Sequence, residues 1–232
     1  MLVIISDLHL TDGTSGETIR ASAFGAFRER LRDLAYDASW RADGKYRPVE
    51  KVDIILLGDI LDVIRSTKWL AIEERPWSDP QSQKFTMKIA EINSAILENN
   101  NTALGILKSI NRGSALTLPP ATEAGKPAFT SRDKPGSADR VPVKVQMYYL
   151  VGNHDWFYHL DGRAYADVRN SVVDALGLSN DPARPFPHDP KELDELASVY
   201  GAHRVFARHG DIFDSLNFED TRNASSIGDA RD

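Results

Sequence analysis

At 232 residues, 41% hydrophobic and 27% charged, the chain has the length and composition of one sizeable globular domain, and no apolar run approaches the ~18 residues needed to span a bilayer. It has no cysteine, which excludes disulfides, thiolate metal ligation and a cysteine nucleophile, so any metal must be held by nitrogen and oxygen. The formal charge of −6 offers no general attraction to nucleic acid or anionic membrane. Met1 leads directly into an apolar run, which leaves no room for a signal peptide, and the expected location is the cytoplasm.

The first predicted element is a strand at Leu2-Val3-Ile4-Ile5, followed by a Gly/Ser/Thr loop from Thr11 to Gly16. Apolar positions Ile19, Ala23, Phe27, Leu31, Leu34 and Ala38 then recur at helical spacing, and Asp43-Gly44 and Pro48 break the chain before a second strand, Val52 to Leu57. A strand–helix–strand unit of this kind builds parallel sheet. The stretch Gln81 to Ile110 carries Phe85, Ile89, Ile92, Ile96, Ala103, Leu107 and Ile110 on one helical face, with Asn99-Asn100-Asn101 predicting a bend or break. Gly113 to Pro142, rich in Pro, Gly, Ser and Thr, reads as a long surface loop.

The third strand is expected at Val143 to Val151 and a helix near Arg163 to Leu176, capped by Gly177. Asp189-Pro190 has the form of an N-cap and first helical position. A return to the sheet is expected at Ala202 to Ala207, and Asn217 to Asp232 reads as the start of a further helix.

Four segments rich in metal-ligating residues follow the strand-like runs: Asp7-Leu8-His9, Gly58-Asp59, Gly152-Asn153-His154-Asp155 and His209-Gly210-Asp211. In open α/β sheets ligands gather beyond the carboxyl ends of the strands, so these side chains are expected to converge. Singly, each has another reading. Asp7 also fits a solvated strand end or an N-cap, His9 a loop histidine, Asp59 half of a Gly-Asp turn and Asn153 an αL turn residue.

Taken in order, the segments resemble the calcineurin-like metallophosphoesterase superfamily, whose pattern is DxH, GD, GNH followed by an acid, then a His, over Met1 to about Asp211. The resemblance implies a mixed α/β (α+β layered) fold, a metallophosphoesterase-like β-sandwich flanked by helices, here one domain over 1–232 with a helical and loop insertion at about 63–142. It implies two divalent ions, Mn, Fe or Zn rather than Ca given a ligand set of imidazole and carboxylate. One would be held by Asp7, His9 and Asp59, the other by Asp59, Asn153 and His209, with Asp59 as bridge and a metal-bound hydroxide as nucleophile. His154 would be the general acid or phosphoryl-binding group, and Asp155 would orient it.

The family's closing GHxH does not occur in these residues, which leaves three protein ligands per ion, and part of the second sheet is expected to be missing, by truncation in preference to decay. The implied partner is a phosphorylated substrate. The alternatives are a regulatory or binding module with an incomplete metal site and a nuclease, against which the net negative charge and the lack of a basic stripe weigh.

Among the remaining candidates, Asp62, Asp211 and Asp214 could orient imidazoles or serve as solvated or capping residues. His203 would stand on a strand face about 20 Å from His209 at ~3.3 Å per residue. His188 and His159 are expected at the surface, the latter within reach of the site rim. Arg65, Lys68, Trp69, Arg75 and Trp77 fit either an anionic-substrate cluster or, preferably, an amphipathic helix shielding the core.

Overall fold

The computed structural model describes residues 1–112 and 115–213. Its centre is a parallel sheet in the order β1 (Leu2–Ile5), β2 (Lys51–Leu57), β5 (Lys144–Leu150), with Leu2 opposite Asp53 and Lys51 opposite Lys144. β2 is the middle strand, and its run Val-Asp-Ile-Ile-Leu-Leu is buried throughout, as a strand covered on both faces must be. The expected parallel α/β core is present.

Two layers of helix cover the sheet, and the two-residue period of a strand decides which side chain meets which layer. Ile54, Leu56, Met147 and Tyr149 face one way, into a core shared with α1 (Ala21–Asp37), α2 (Gln83–Asn99), α3 (Asn101–Arg112) and α4 (Arg163–Leu176). Ile55, Leu57, Tyr148 and Leu150 face the other way, against Leu196, Val199 and Tyr200 of α5 (Asp194–His203). Each fully buried aliphatic chain here contributes roughly 1.5–3 kcal/mol.

The break between α2 and α3 falls at Asn100, as the Asn run predicts. Its amide donates to Ile96 O and to Thr11 O, both at 2.8 Å, while its Oδ1 accepts from Thr18 Oγ1 at 2.7 Å. The helix break thus pins the loop that follows His9. α4 spans Arg163–Leu176 and closes on Gly177 in the αL conformation, also as expected.

Two expectations need correction and one is refined. The stretch after α3 is not wholly surface loop: Thr117–Leu118 (β3) pairs antiparallel with Val141–Pro142 (β4), and Leu116 and Leu118 are buried. Arg140, itself buried, donates to the carbonyls of Thr117, Ser131 and Asp133, so a polar, Pro-rich sequence is organised by one guanidinium. Asp189 and Pro190 do form an N-cap and first helical position, with Asp189 accepting from Lys191 N at 2.9 Å, and the element they open is a 3₁₀ turn, Pro190–Glu192, ahead of α5. The strand expected at Ala202 to Ala207 is absent: α5 runs through His203, Arg204 stops it in αL with φ 53°, and Phe206 is 63% exposed. Val-Phe-Ala looks like a strand locally, but the helical spacing of Leu196, Val199 and Tyr200 governs the packing upstream. No helix among the described residues is long and apolar enough to cross a membrane.

Candidate metal centre

The residues beyond β1 and β2 continue side by side. Asp7 N donates to Gly58 O at 3.2 Å, His9 N to Asp59 O at 2.9 Å and Leu10 N to Ile60 O at 2.9 Å. To turn their side chains into the crevice, Asp7, His9 and Asp59 adopt φ of 55°, 45° and 54°, in the left-handed region. Such backbone costs of order 1–3 kcal/mol per residue and persists only where the surroundings impose it. Three of the proposed ligands share it.

Glycine makes room at the centre. A Cβ on Gly58, where φ is +72°, would lie 2.5 Å from His209 Cδ2, and one on Gly152 would lie 2.3 Å from Asp59 Oδ1. The two glycines therefore let the His209 ring and the Asp59 carboxylate approach the backbone closely.

Asp59 is the hub. Its Oδ1 accepts from His154 N at 2.9 Å. Its Oδ2 faces three imidazoles: His209 Nε2 at 3.5 Å, His9 Nε2 at 3.8 Å and His154 Nε2 at 4.0 Å. Asp7 Oδ1 lies 3.6 Å from His209 Nε2 and 4.0 Å from His9 Nε2. Two groups follow, His9 with Asp59 and His154, and Asp7 with Asp59 and His209, and each could hold a metal ion.

The donor set fits such an ion, since bonds of ~2.0–2.2 Å in a tetrahedral site place neighbouring ligand atoms about 3.4 Å apart. Asn153 lines the same cleft, about 370 Å³ in volume, with Asp7, Asp59, Arg208 and His209. The five candidates named from the sequence, Asp7, His9, Asp59, Asn153 and His209, thus lie near one another.

The carboxylate beside the His154 ring is not the expected one. Asp155 does not face the His154 ring: it is buried and accepts from Tyr149 Oη at 2.6 Å, Gly152 N at 2.6 Å and Ile60 N at 2.8 Å, tying the loop after β5 to the loop after β2. Burial, and then the Asp59 charge, push its pKa up to about 7. The residue that orients His154 is Asp62, fully buried, whose Oδ1 is 2.9 Å from His154 Nδ1 and whose Oδ2 is 2.8 Å from His9 Nδ1.

An ionised carboxylate only accepts, so both histidines donate from Nδ1 and turn Nε2 toward Asp59. Burial works against the His154 imidazolium, but the Asp62 hydrogen bond and the Asp59 and Asp62 charges outweigh it and raise the pKa. For His209, burial is likewise overcome by Asp211 and Asp59, and the pKa rises to about 9.

The other histidines also move from their expected places. His159 is buried, with Nδ1 2.7 Å from Phe186 O, and burial lowers its pKa. His188 is buried, not at the surface, with Nε2 3.3 Å from Asp211 Oδ2 and Nδ1 3.1 Å from Arg208. His203 ends α5, not a strand, with Nε2 3.8 Å from Asp53 Oδ2. Asp214 and the helix expected from Asn217 lie outside the described residues.

Of the cation and aromatic cluster, Trp69 is core, Arg75 donates to the carbonyls of Trp69, Ile72 and Glu74, and Arg65 Nε lies 3.3 Å from Asp62 Oδ2. Lys68 lies 3.6 Å from Glu91, and Trp77 is exposed. Trp69 packs in the core, but the stretch forms a 3₁₀ turn, Thr67–Ala71, in place of the expected amphipathic helix, and Arg65 reaches Asp62 at the site. Arg208 was missed in the sequence, where its only signal is its position before His209.

No protein-family model, no curated protein and no solved structure matches this chain.

Proposed function

We propose that this chain is a dinuclear-metal-dependent phosphoester hydrolase, related to the calcineurin-like metallophosphoesterases and sharing their layered fold, that acts on a phosphate monoester or diester. The observation that carries the reading is the double use of Asp59, which belongs to both candidate groups, with Oδ2 3.8 Å from His9 Nε2 and 3.5 Å from His209 Nε2. A carboxylate flanked by two donor groups is what a pair of divalent cations requires, and the left-handed backbone at Asp7, His9 and Asp59 gathers a local cost at three candidate ligands of one site.

Asp7, His9, Asp59, Asn153 and His209 would hold the ions, Mn, Fe or Zn from their imidazole and carboxylate chemistry, while His154, near enough to join His9 and Asp59, is assigned to the substrate instead. Bound there, the ions would supply Lewis-acid stabilisation of phosphoryl charge and an activated water. The chain's own part is orientation and proton transfer. Asp62 fixes His154 through Nδ1, which leaves the other ring nitrogen, Nε2, to carry a proton toward the leaving oxygen.

The test is hydrolysis of nitrophenyl phosphate and bis(nitrophenyl) phosphate by the chain loaded with Mn²⁺, Zn²⁺ or Co²⁺. Turnover that disappears in Asp59→Ala supports the reading. Metal uptake without turnover on either ester would instead favour a binding module that keeps the site.

A further inference from the structure

The buried residue His188 has no place in the reaction described above, yet it is one link of a polarised chain that ends on His209. Arg208 Nη2 lies 3.1 Å from His188 Nδ1, and Arg208 Nη1 is held by Asp189 Oδ2 at 3.1 Å. A guanidinium only donates, so His188 Nδ1 must be the acceptor and the ring hydrogen must sit on Nε2. That Nε2 lies 3.4 and 3.3 Å from the two carboxylate oxygens of Asp211, to which it donates. Asp211 Oδ1 is in turn 3.3 Å from His209 Nδ1, a charge contact outside hydrogen-bond geometry, and the other ring nitrogen faces Asp7 and Asp59.

The direction of the first two links is therefore set by the arginine. Donation runs from Arg208 to His188 to Asp211, and the Asp211 charge, held from behind, favours hydrogen on the facing His209 Nδ1 and a lone pair on Nε2.

The geometry points to His188 as a positioning residue for metal binding: with Arg208 behind it, it holds Asp211 so that His209 presents Nε2 to the ion. The inference rests on the metal site proposed above, and it extends that site to a loop that the sequence reading placed at the surface. Residues that orient a metal-bound imidazole through its second nitrogen typically change metal affinity about 10- to 100-fold when removed.

The test uses Co²⁺ titration of the whole chain, followed by the visible d–d absorption, with thermal unfolding of each metal-free variant as a control. Gln places its amide N–H where the histidine Nε2–H was, Asn can reach only the Nδ1 position, and Leu does neither. His188→Leu and His188→Asn are each expected to weaken Co²⁺ binding about 10- to 100-fold. His188→Gln should restore most of the affinity, and the metal-free melting temperatures should not follow that order.

Unchanged affinity in His188→Leu, equal losses in the Gln and Leu variants, or affinity losses that simply track the melting temperatures would overturn the relay. A wild-type chain that takes up no Co²⁺ overturns the relay together with the site. Tight Co²⁺ binding without phosphoester turnover overturns the hydrolase reading alone, because the relay is read from affinity.

Discussion

Asp62 and His154, far apart in sequence, meet with Oδ1 2.9 Å from Nδ1, and the same carboxylate holds His9 through its second oxygen at 2.8 Å. One buried acid thus sets the tautomer and direction of two imidazoles at once. Burial opposes its ionisation, but the hydrogen bonds from His154 and His9 prevail and lower its pKa.

Asp62→Asn keeps the size but leaves one acceptor where two donors converge. One imidazole must turn or lose its partner. The substitution should lower kcat by about 10- to 100-fold and weaken metal binding, as loss of an orienting partner typically does. Steady-state kinetics with elemental analysis would check this, and wild-type values for both would refute the anchoring role.

His154→Ala separates proton donation from metal ligation. Proton transfer by a positioned side chain typically contributes about 10²–10⁴-fold, in proportion to how much the leaving group needs it. The variant should lose far more rate on an alkyl phosphate ester than on a nitrophenyl ester, with metal content near wild type. Because His154 Nε2 lies 4.0 Å from Asp59 Oδ2, the opposite result is informative: loss of metal, or equal slowing of both esters, makes it a ligand or a phosphate-positioning group.

Much of this was legible in the sequence. The apolar runs ending in Asp7, Asp59 and Asn153 identify three strands of the parallel sheet, and the Asn run and Gly177 mark helix ends, because local backbone preferences decide those features. Asp155 and Asp62 show where such reading stops. Asp155 adjoins His154 in the chain, yet its side chain points into the core, while Asp62 arrives from the loop after another strand. The choice between them is made by the crossing of two loops. His188 was hidden by its prolines, which suggest a surface loop but also fit a segment packed over β5, where Val151 N donates to Pro187 O at 2.9 Å.

The metal-free protein should lose stability above neutral pH through His209. Its folded pKa, about 9, lies above the ordinary value of 6.5. The stabilisation is therefore complete below about pH 6.5 and is lost as pH rises through 9. Urea unfolding in EDTA across that window should show the decline, and His209→Gln should flatten it. Within the same window metal binding should release a proton, because the ligand must be neutral, and calorimetry in buffers of different ionisation enthalpy would detect it.

Gly58→Ala should damage fold and site together. Its φ of +72° is strained for alanine, and the new methyl would meet the His209 ring at 2.5 Å. A destabilisation of roughly 1–3 kcal/mol is expected in urea unfolding. Metal affinity should fall as well, since the ring must move, and a variant with wild-type stability and affinity would contradict the close approach.

The most direct test of the shared role of Asp59 is the metal stoichiometry of wild type and Asp59→Ala, measured by elemental analysis after loading with Mn²⁺ or Zn²⁺ and desalting. The wild type should retain more than one ion per chain and Asp59→Ala almost none, because one substitution removes a donor from both groups. Equal metal content in the two proteins would contradict the account.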